Sequence, residues 1–171
     1  MRGNRVVPDN RRYIVTQSVI GAAIVNAAIN VAFGWALTRG LAGLPVWRVP
    51  GVAADLVGTA FGVTFGTCIA MSIQIPRDFA KGKIAPFALP AGVASLVARF
   101  PAGTLKRGLG LGAISIPLFV PPVVAALALC GVGVVERAAF LWLKGGFSAV
   151  QGAVVTPLIV LGALSDLGAR R

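Results

Sequence analysis

Four long apolar runs, separated by basic segments, dominate this sequence. Each has about 20 residues or more, the length at which an α-helix crosses the ~30 Å hydrocarbon core of a bilayer. Only 12% of the 171 residues are charged and 57% are apolar, which excludes both a soluble surface and a disordered chain. We predict one all-α integral membrane domain over 1–171, with four spans at residues 13–37, 51–75, 111–135 and 146–164.

A polar interval at 77–108 separates the second span from the third. Within it, residues 85–100 are apolar, but this stretch is shorter than a span and contains Pro86 and Pro90. A segment of this kind is typical of an interfacial or re-entrant helix. Basic residues flank it on both sides, so we expect this region to meet anionic lipid headgroups.

The basic residues are distributed unevenly between the two sides of the predicted spans. Of the 16 lysines and arginines, 12 lie in the N-terminus, the 77–108 interval and the C-terminus. By the positive-inside rule both termini are cytoplasmic, in the inner (cell) membrane of a bacterium. Three tryptophans then form an outer aromatic belt: Trp35, Trp47 and Trp142. The four outer basic residues are Arg39, Arg48, Arg137 and Lys144, and we expect the Lys144 ammonium to extend to the headgroups.

The sequence lacks the residues and motifs that most enzyme mechanisms need. Histidine is absent, and the two cysteines, Cys68 and Cys130, lie inside apolar runs without a CxxC pair. The glycine-rich stretch at 108–112 lacks the strand that a nucleotide-binding loop follows. We therefore predict no enzyme, catalytic residue, metal or cofactor. The net charge of +11 is assigned to lipid contact rather than to nucleic acid.

A row of small residues with four-residue spacing marks the second span. Such a ridge lets a neighbouring helix backbone approach closely, and this packing replaces the hydrophobic drive that lipid removes. Two interpretations stay open: packing against the first span within one chain, or a seam between chains or a pore wall. The row consists of Ala54, Gly58, Gly62, Gly66 and Ala70.

Four polar residues form a candidate intramembrane site. Asp55 is the acid inside an apolar run, Thr59 lies one turn deeper on the same helix face, and Asn26 and Asn30 lie on the first span. An intramembrane acid suggests a cation or proton site. The alternatives are that Asp55 caps the second span or pairs with Arg48, and that the asparagines form interhelical hydrogen bonds.

Three prolines lie close together in the third span. Pro117, Pro121 and Pro122 remove three N–H donors within six residues, which predicts a kink or break in the helix. Broken helices line substrate sites in transporters, although kinked helices without that role are also common.

Two classes of function are consistent with these features. One is a membrane protein that acts by helix–helix assembly, as a homo-oligomer or as a subunit beside other membrane proteins. The alternative is a small channel or secondary transporter for a cation, a proton or a small solute, using the candidate polar site beside a broken third span.

Overall fold

The computed structural model describes residues 10–85, 92 and 103–169, without the side chains of 165 and 167–169. Four helices are each long and apolar enough to cross a membrane, which confirms that part of the predicted fold. We label them α1 (Asn10–Leu37), α2 (Val52–Ala80), α3 (Thr104–Leu129) and α4 (Arg137–Ala169). Within α1, Ile14–Gly21 is π-helical.

The predicted ends of the last two spans differ from the observed helices. The third helix begins at Thr104 and ends at Leu129, because Gly131 takes a left-handed conformation (φ 67°) that ends the helix. The fourth helix begins at Arg137, nine residues before the predicted start at 146. Lys144 therefore lies inside a helix and not in a loop. The interfacial helix predicted over 85–100 lies outside the described residues, apart from two positions.

Two short strands join the connections between the helices. Strand β1 (Gly43–Pro45) follows α1, and β2 (Val134–Glu136) precedes α4. They pair antiparallel, with Gly43 opposite Glu136. The α1–α2 and α3–α4 connections therefore lie at the same end of the molecule, as alternating spans require.

The helices pack in the order α1, α4, α2, α3. Glycines mark the close approaches, since a Cβ at Gly152 of α4 would lie 2.6 Å from the Asn26 amide nitrogen. Likewise, a Cβ at Gly34 of α1 would lie 3.0 Å from the Lys144 side chain. Helix α1 therefore packs closely on α4 near Asn26 and Gly34.

Helices α1 and α2 meet at one end, where Tyr13 and Ile75 share a core cluster. A Cβ added at Gly58, Gly62 or Gly66 would meet no atom within 4 Å, so packing of the α2 ridge against the first span is not observed.

The prolines of the third span predict a kink or a break, and the structure shows no break in this helix. Helix α3 is α-helical from end to end and includes Pro117, Pro121 and Pro122. All three prolines lie on its exposed face. The φ angle that proline requires is itself helical, and membrane helices tolerate the lost hydrogen bonds when neighbouring groups satisfy the carbonyls.

Candidate functional site

A lateral groove of about 790 Å³ runs between α1 and α2. We call it the α1–α2 groove. Three glycines of the ridge, Gly58, Gly62 and Gly66, line it together with Ala70, while Ala54 is exposed beside it. All four predicted polar residues also line it. The polar side chains in its lining are Gln17, Asn26, Asn30, Asp55, Thr59, Thr67, Gln74 and Lys144.

An ion pair lies near the end of the groove where α2 begins. Lys144 Nζ is 2.6 Å from both carboxylate oxygens of Asp55, and Lys144 is only 3% exposed. The Thr59 hydroxyl donates to Asp55 Oδ2 at 3.4 Å. Asp55 therefore pairs with Lys144 and not with Arg48. The expectation that the Lys144 ammonium extends to the headgroups is wrong, because this side chain is buried. The early start of α4 explains both corrections, because it places Lys144 two turns inside that helix.

The two asparagines bond within their own helix. Asn26 Nδ2 donates to the Ala22 carbonyl at 2.9 Å, and Asn30 Nδ2 donates to the Asn26 carbonyl at 2.9 Å. Each amide nitrogen thus donates to the carbonyl four residues earlier in its own helix and makes no hydrogen bond to a neighbouring helix. The predicted interhelical bonds of these side chains are not formed. Instead, α4 reaches α1 through Ser148, whose hydroxyl donates to the Asn26 carbonyl at 3.3 Å.

The glycine ridge faces open space. A Cβ built on Gly58, Gly62 or Gly66 would meet no atom within 4 Å. By contrast, a Cβ on Gly112 of α3 would lie 2.9 Å from the Phe61 ring. Glycines elsewhere in the bundle therefore permit close packing, whereas those of the ridge are unoccupied on their groove side.

The opposite end of the groove is closed by hydrogen bonds. The Tyr13 hydroxyl of α1 donates to Asp78 Oδ2 of α2 at 2.7 Å, and Gln74 Nε2 donates to the same oxygen at 3.3 Å. Lys83 Nζ lies 3.4 Å from Asp78. The Asn10 side chain adds two hydrogen bonds to the backbone of Ala85. This contact could not be predicted from the sequence, because Tyr13 and Asp78 lie outside the apolar centres of their spans and 65 residues apart.

A buried polar contact holds α4 against α2 outside the groove lining. Gln151 is fully buried, and its Nε2 donates to the Ala60 carbonyl at 2.5 Å and to Thr64 Oγ1 at 2.8 Å. The Ser115 hydroxyl of α3 donates to the same Ala60 carbonyl at 2.7 Å. Three helices therefore meet at one backbone oxygen, which fixes α2 while its opposite face stays open.

The chemistry available in the groove is that of one neutralised charge pair and several hydrogen-bonding side chains. Within the part of the chain that the structure describes, no three His, Cys, Asp or Glu side chains are grouped to hold a metal ion. Comparisons with protein-family models, curated proteins and solved structures found no match to this chain.

Proposed function

We propose that this protein acts by helix–helix assembly in a membrane, as an oligomer or as a subunit of a membrane complex. The contact is made by the ridge of α2, which receives a transmembrane helix in the α1–α2 groove. The observation that carries this proposal is the open space over Gly58, Gly62 and Gly66. Glycine costs about 1 kcal/mol relative to alanine inside a helix. A row of exposed glycines is therefore best explained by a partner helix that needs the close approach.

We also propose in which membrane the protein lies and how it is oriented there. We place it in the inner membrane of a bacterium with both termini in the cytoplasm, because the basic residues cluster on that side. The same residues contact anionic headgroups. The free face of α2 and the groove then open sideways to the bilayer, where another membrane protein can reach them.

Gly62→Leu is expected to lower the oligomeric mass of the purified protein. A leucine side chain would project into the groove and hold the partner helix away, which removes the close contacts that association in lipid depends on. Mass measurement in mild detergent, for example by light scattering, reports the change. Ala60, which lies off the ridge on the same helix, is no suitable control because it is fully buried.

The matched control is Gly146→Leu. Gly146 lies on α4 and is exposed, and a Cβ added there would meet no atom within 4 Å, but it does not line the groove. The same side chain is thus added at an open helix surface elsewhere. An equal loss of mass in both variants, or no loss in either, would contradict assembly through the ridge.

A second candidate function is transport of a cation, a proton or a small solute. One observation favours it: Asp55, Thr59, Asn26 and Asn30 all line the same groove. Two others weigh against it, since Lys144 already contacts both Asp55 oxygens and no residue of α3 lines the groove.

Flux measured in liposomes tests the transport function. If Asp55 carries the transported ion, we expect proton- or cation-driven flux with the unmodified protein and none with Asp55→Asn, which keeps the side-chain shape and removes the charge. Equal flux from both proteins would remove Asp55 from the path. No flux from either would leave assembly as the function.

A further inference from the structure

One segment of α1 departs from α-helical geometry. Residues Ile14–Gly21 are π-helical, whereas Asn10–Tyr13 before them and Ala22–Leu37 after them are α-helical. Each hydrogen bond of a π-helix spans five residues instead of four, and π-helical turns are frequently found at functional sites. This segment of eight residues therefore holds about one residue more than an α-helix that makes the same number of turns.

The π-helical form leaves a buried hydroxyl without a partner. Ser18 is 1% exposed, and among the described residues its Oγ has no hydrogen-bond partner. In the α-helical backbone of α2, by comparison, the Ser72 hydroxyl donates to the Cys68 carbonyl, four residues earlier, at 2.8 Å. An α-helical form of the segment would offer Ser18 the same bond, to the Ile14 carbonyl. The π-helical form thus carries the cost of an unpaired buried polar group.

Contacts at the N-terminal end of α1 stabilise the π-helical form in return. The Tyr13 hydroxyl donates to Asp78 at 2.7 Å, and the Asn10 side chain makes two hydrogen bonds with the Ala85 backbone. We call these bonds the latch. The part of α1 beyond the segment is fixed separately, because Gly152 of α4 packs closely against it. Conversion of the segment to an α-helix would add about one residue position of turn, or about 100°, and would carry the latch residues off their partners.

We propose that Ile14–Gly21 switches between the π-helical form, with the latch closed, and an α-helical form, with the latch open and Ser18 paired. Each form makes hydrogen bonds that the other lacks, as two states in equilibrium do. The latch joins α1 to α2 at one end of the α1–α2 groove, so the open form lets the groove walls separate there. A partner helix that arrives from the side and packs along the full groove would select this form. In naming how the groove is regulated, the inference rests on the proposed function.

Distances between two spin labels test the switch. The labels are attached at Arg11→Cys and Lys81→Cys, two exposed positions at the latch end of α1 and α2. The full-length chain carries Cys68→Ala and Cys130→Ser, so that no other thiol reacts. With the latch intact, we expect one principal distance, which is that of the π-helical form.

Breaking the latch should populate the second form. The latch variant combines Asn10→Ala with Tyr13→Phe, which removes the hydrogen bonds and keeps the aromatic ring. We expect a second distance, several ångströms from the first, because a turn of about 100° carries a label around a helix about 10–12 Å wide. If the latch variant shows the first distance alone, the switch is overturned.

Ser18→Ala tests the energetic balance between the two forms. In the latch variant it should reduce the share of the second distance, because the α-helical form loses the Ser18 bond while the π-helical form loses its unpaired hydroxyl. Val15→Ala, at an exposed position of the same segment, is the matched control and should leave the share unchanged. An unchanged or larger share after Ser18→Ala would contradict the proposal.

Deletion of a single residue distinguishes a change of helix type from simple detachment of α1. Without Val15, the segment can be α-helical while its N-terminal end still lies on α2, so the latch variant with this deletion should return to the first distance. Deletion of Ile24, exposed in the α-helical part, is the matched control and should displace the label even with the latch residues intact. A second distance in the chain that lacks Val15 would overturn the switch. Should a deletion prevent folding, the Ser18→Ala result decides.

The oligomeric mass separates failure of this inference from failure of the proposed function. A monomeric mass of the unmodified protein in mild detergent would overturn assembly as a homo-oligomer and leave the two label distances standing. An oligomeric mass with one label distance in every variant would overturn the switch alone.

Discussion

Lys144→Ala is expected to lower the free energy of unfolding by about 3–5 kcal/mol. The ammonium is buried and contacts both oxygens of Asp55, whose side chain is 18% exposed. Removing it leaves a carboxylate without its partner in a region of low dielectric, which costs far more than loss of a surface pair. Titration with a denaturing detergent, followed by tryptophan fluorescence, measures the change.

Two further variants show whether the broken ion pair causes this loss of stability. Lys81→Ala removes an exposed lysine beyond the end of α2 and should change the free energy of unfolding by less than about 1 kcal/mol. The double variant Asp55→Leu with Lys144→Met removes both charges and should recover most of the loss, because no unpaired charge remains. If the double variant is as unstable as Lys144→Ala, the ion pair is not the cause.

Gly51→Ala is expected to destabilise the protein by about 2–3 kcal/mol, through overpacking. Gly51 is buried in the connection before α2, and a Cβ there would collide with the backbone carbonyl oxygens of Arg48 and Pro45. Backbone atoms cannot turn aside as the end of a side chain can. The first turn of α2, including the fully buried Val52, would have to shift. Thermal unfolding in detergent reports the loss.

Gly133→Ala is the matched control for this prediction. Gly133 lies in the other connection at the same end of the molecule, and a Cβ there would have no atom within 4 Å. We expect its free energy of unfolding to stay within about 0.5 kcal/mol of the unmodified protein. A comparable loss in both variants would show that these connections tolerate no added methyl group, whatever the local contacts.

The spans could be predicted from the sequence because apolar length is a property of the chain itself. The ends of the spans are harder to predict, because a charged residue does not always end a helix. Lys144 shows the reason: its position inside α4 is stabilised by Asp55, 89 residues away. No local pattern contains that pairing.

The contacts of the four candidate polar residues could not be predicted from the sequence. Asp55, Thr59, Asn26 and Asn30 line one groove, yet the hydrogen bonds of the asparagines stay within α1. The ridge itself was visible in the sequence, but whether it is covered depends on where α4 lies. Gly152 lets α4 approach α1 closely, and α4 then packs between α1 and α2.

The attachment of α1 at its two ends decides how a helix can enter the groove. At one end, Tyr13 holds α1 to Asp78 of α2. At the other, the Arg137 guanidinium at the start of α4 donates to the Trp35 carbonyl and the Thr38 hydroxyl. The α1–α2 connection at residues 38–51 joins the two walls of the groove at this same end, so a helix cannot thread into the groove along its length from either surface of the membrane. The assembly that we propose would thereby be confined to lateral encounter between chains that have already folded in the bilayer, and its rate should follow their two-dimensional density.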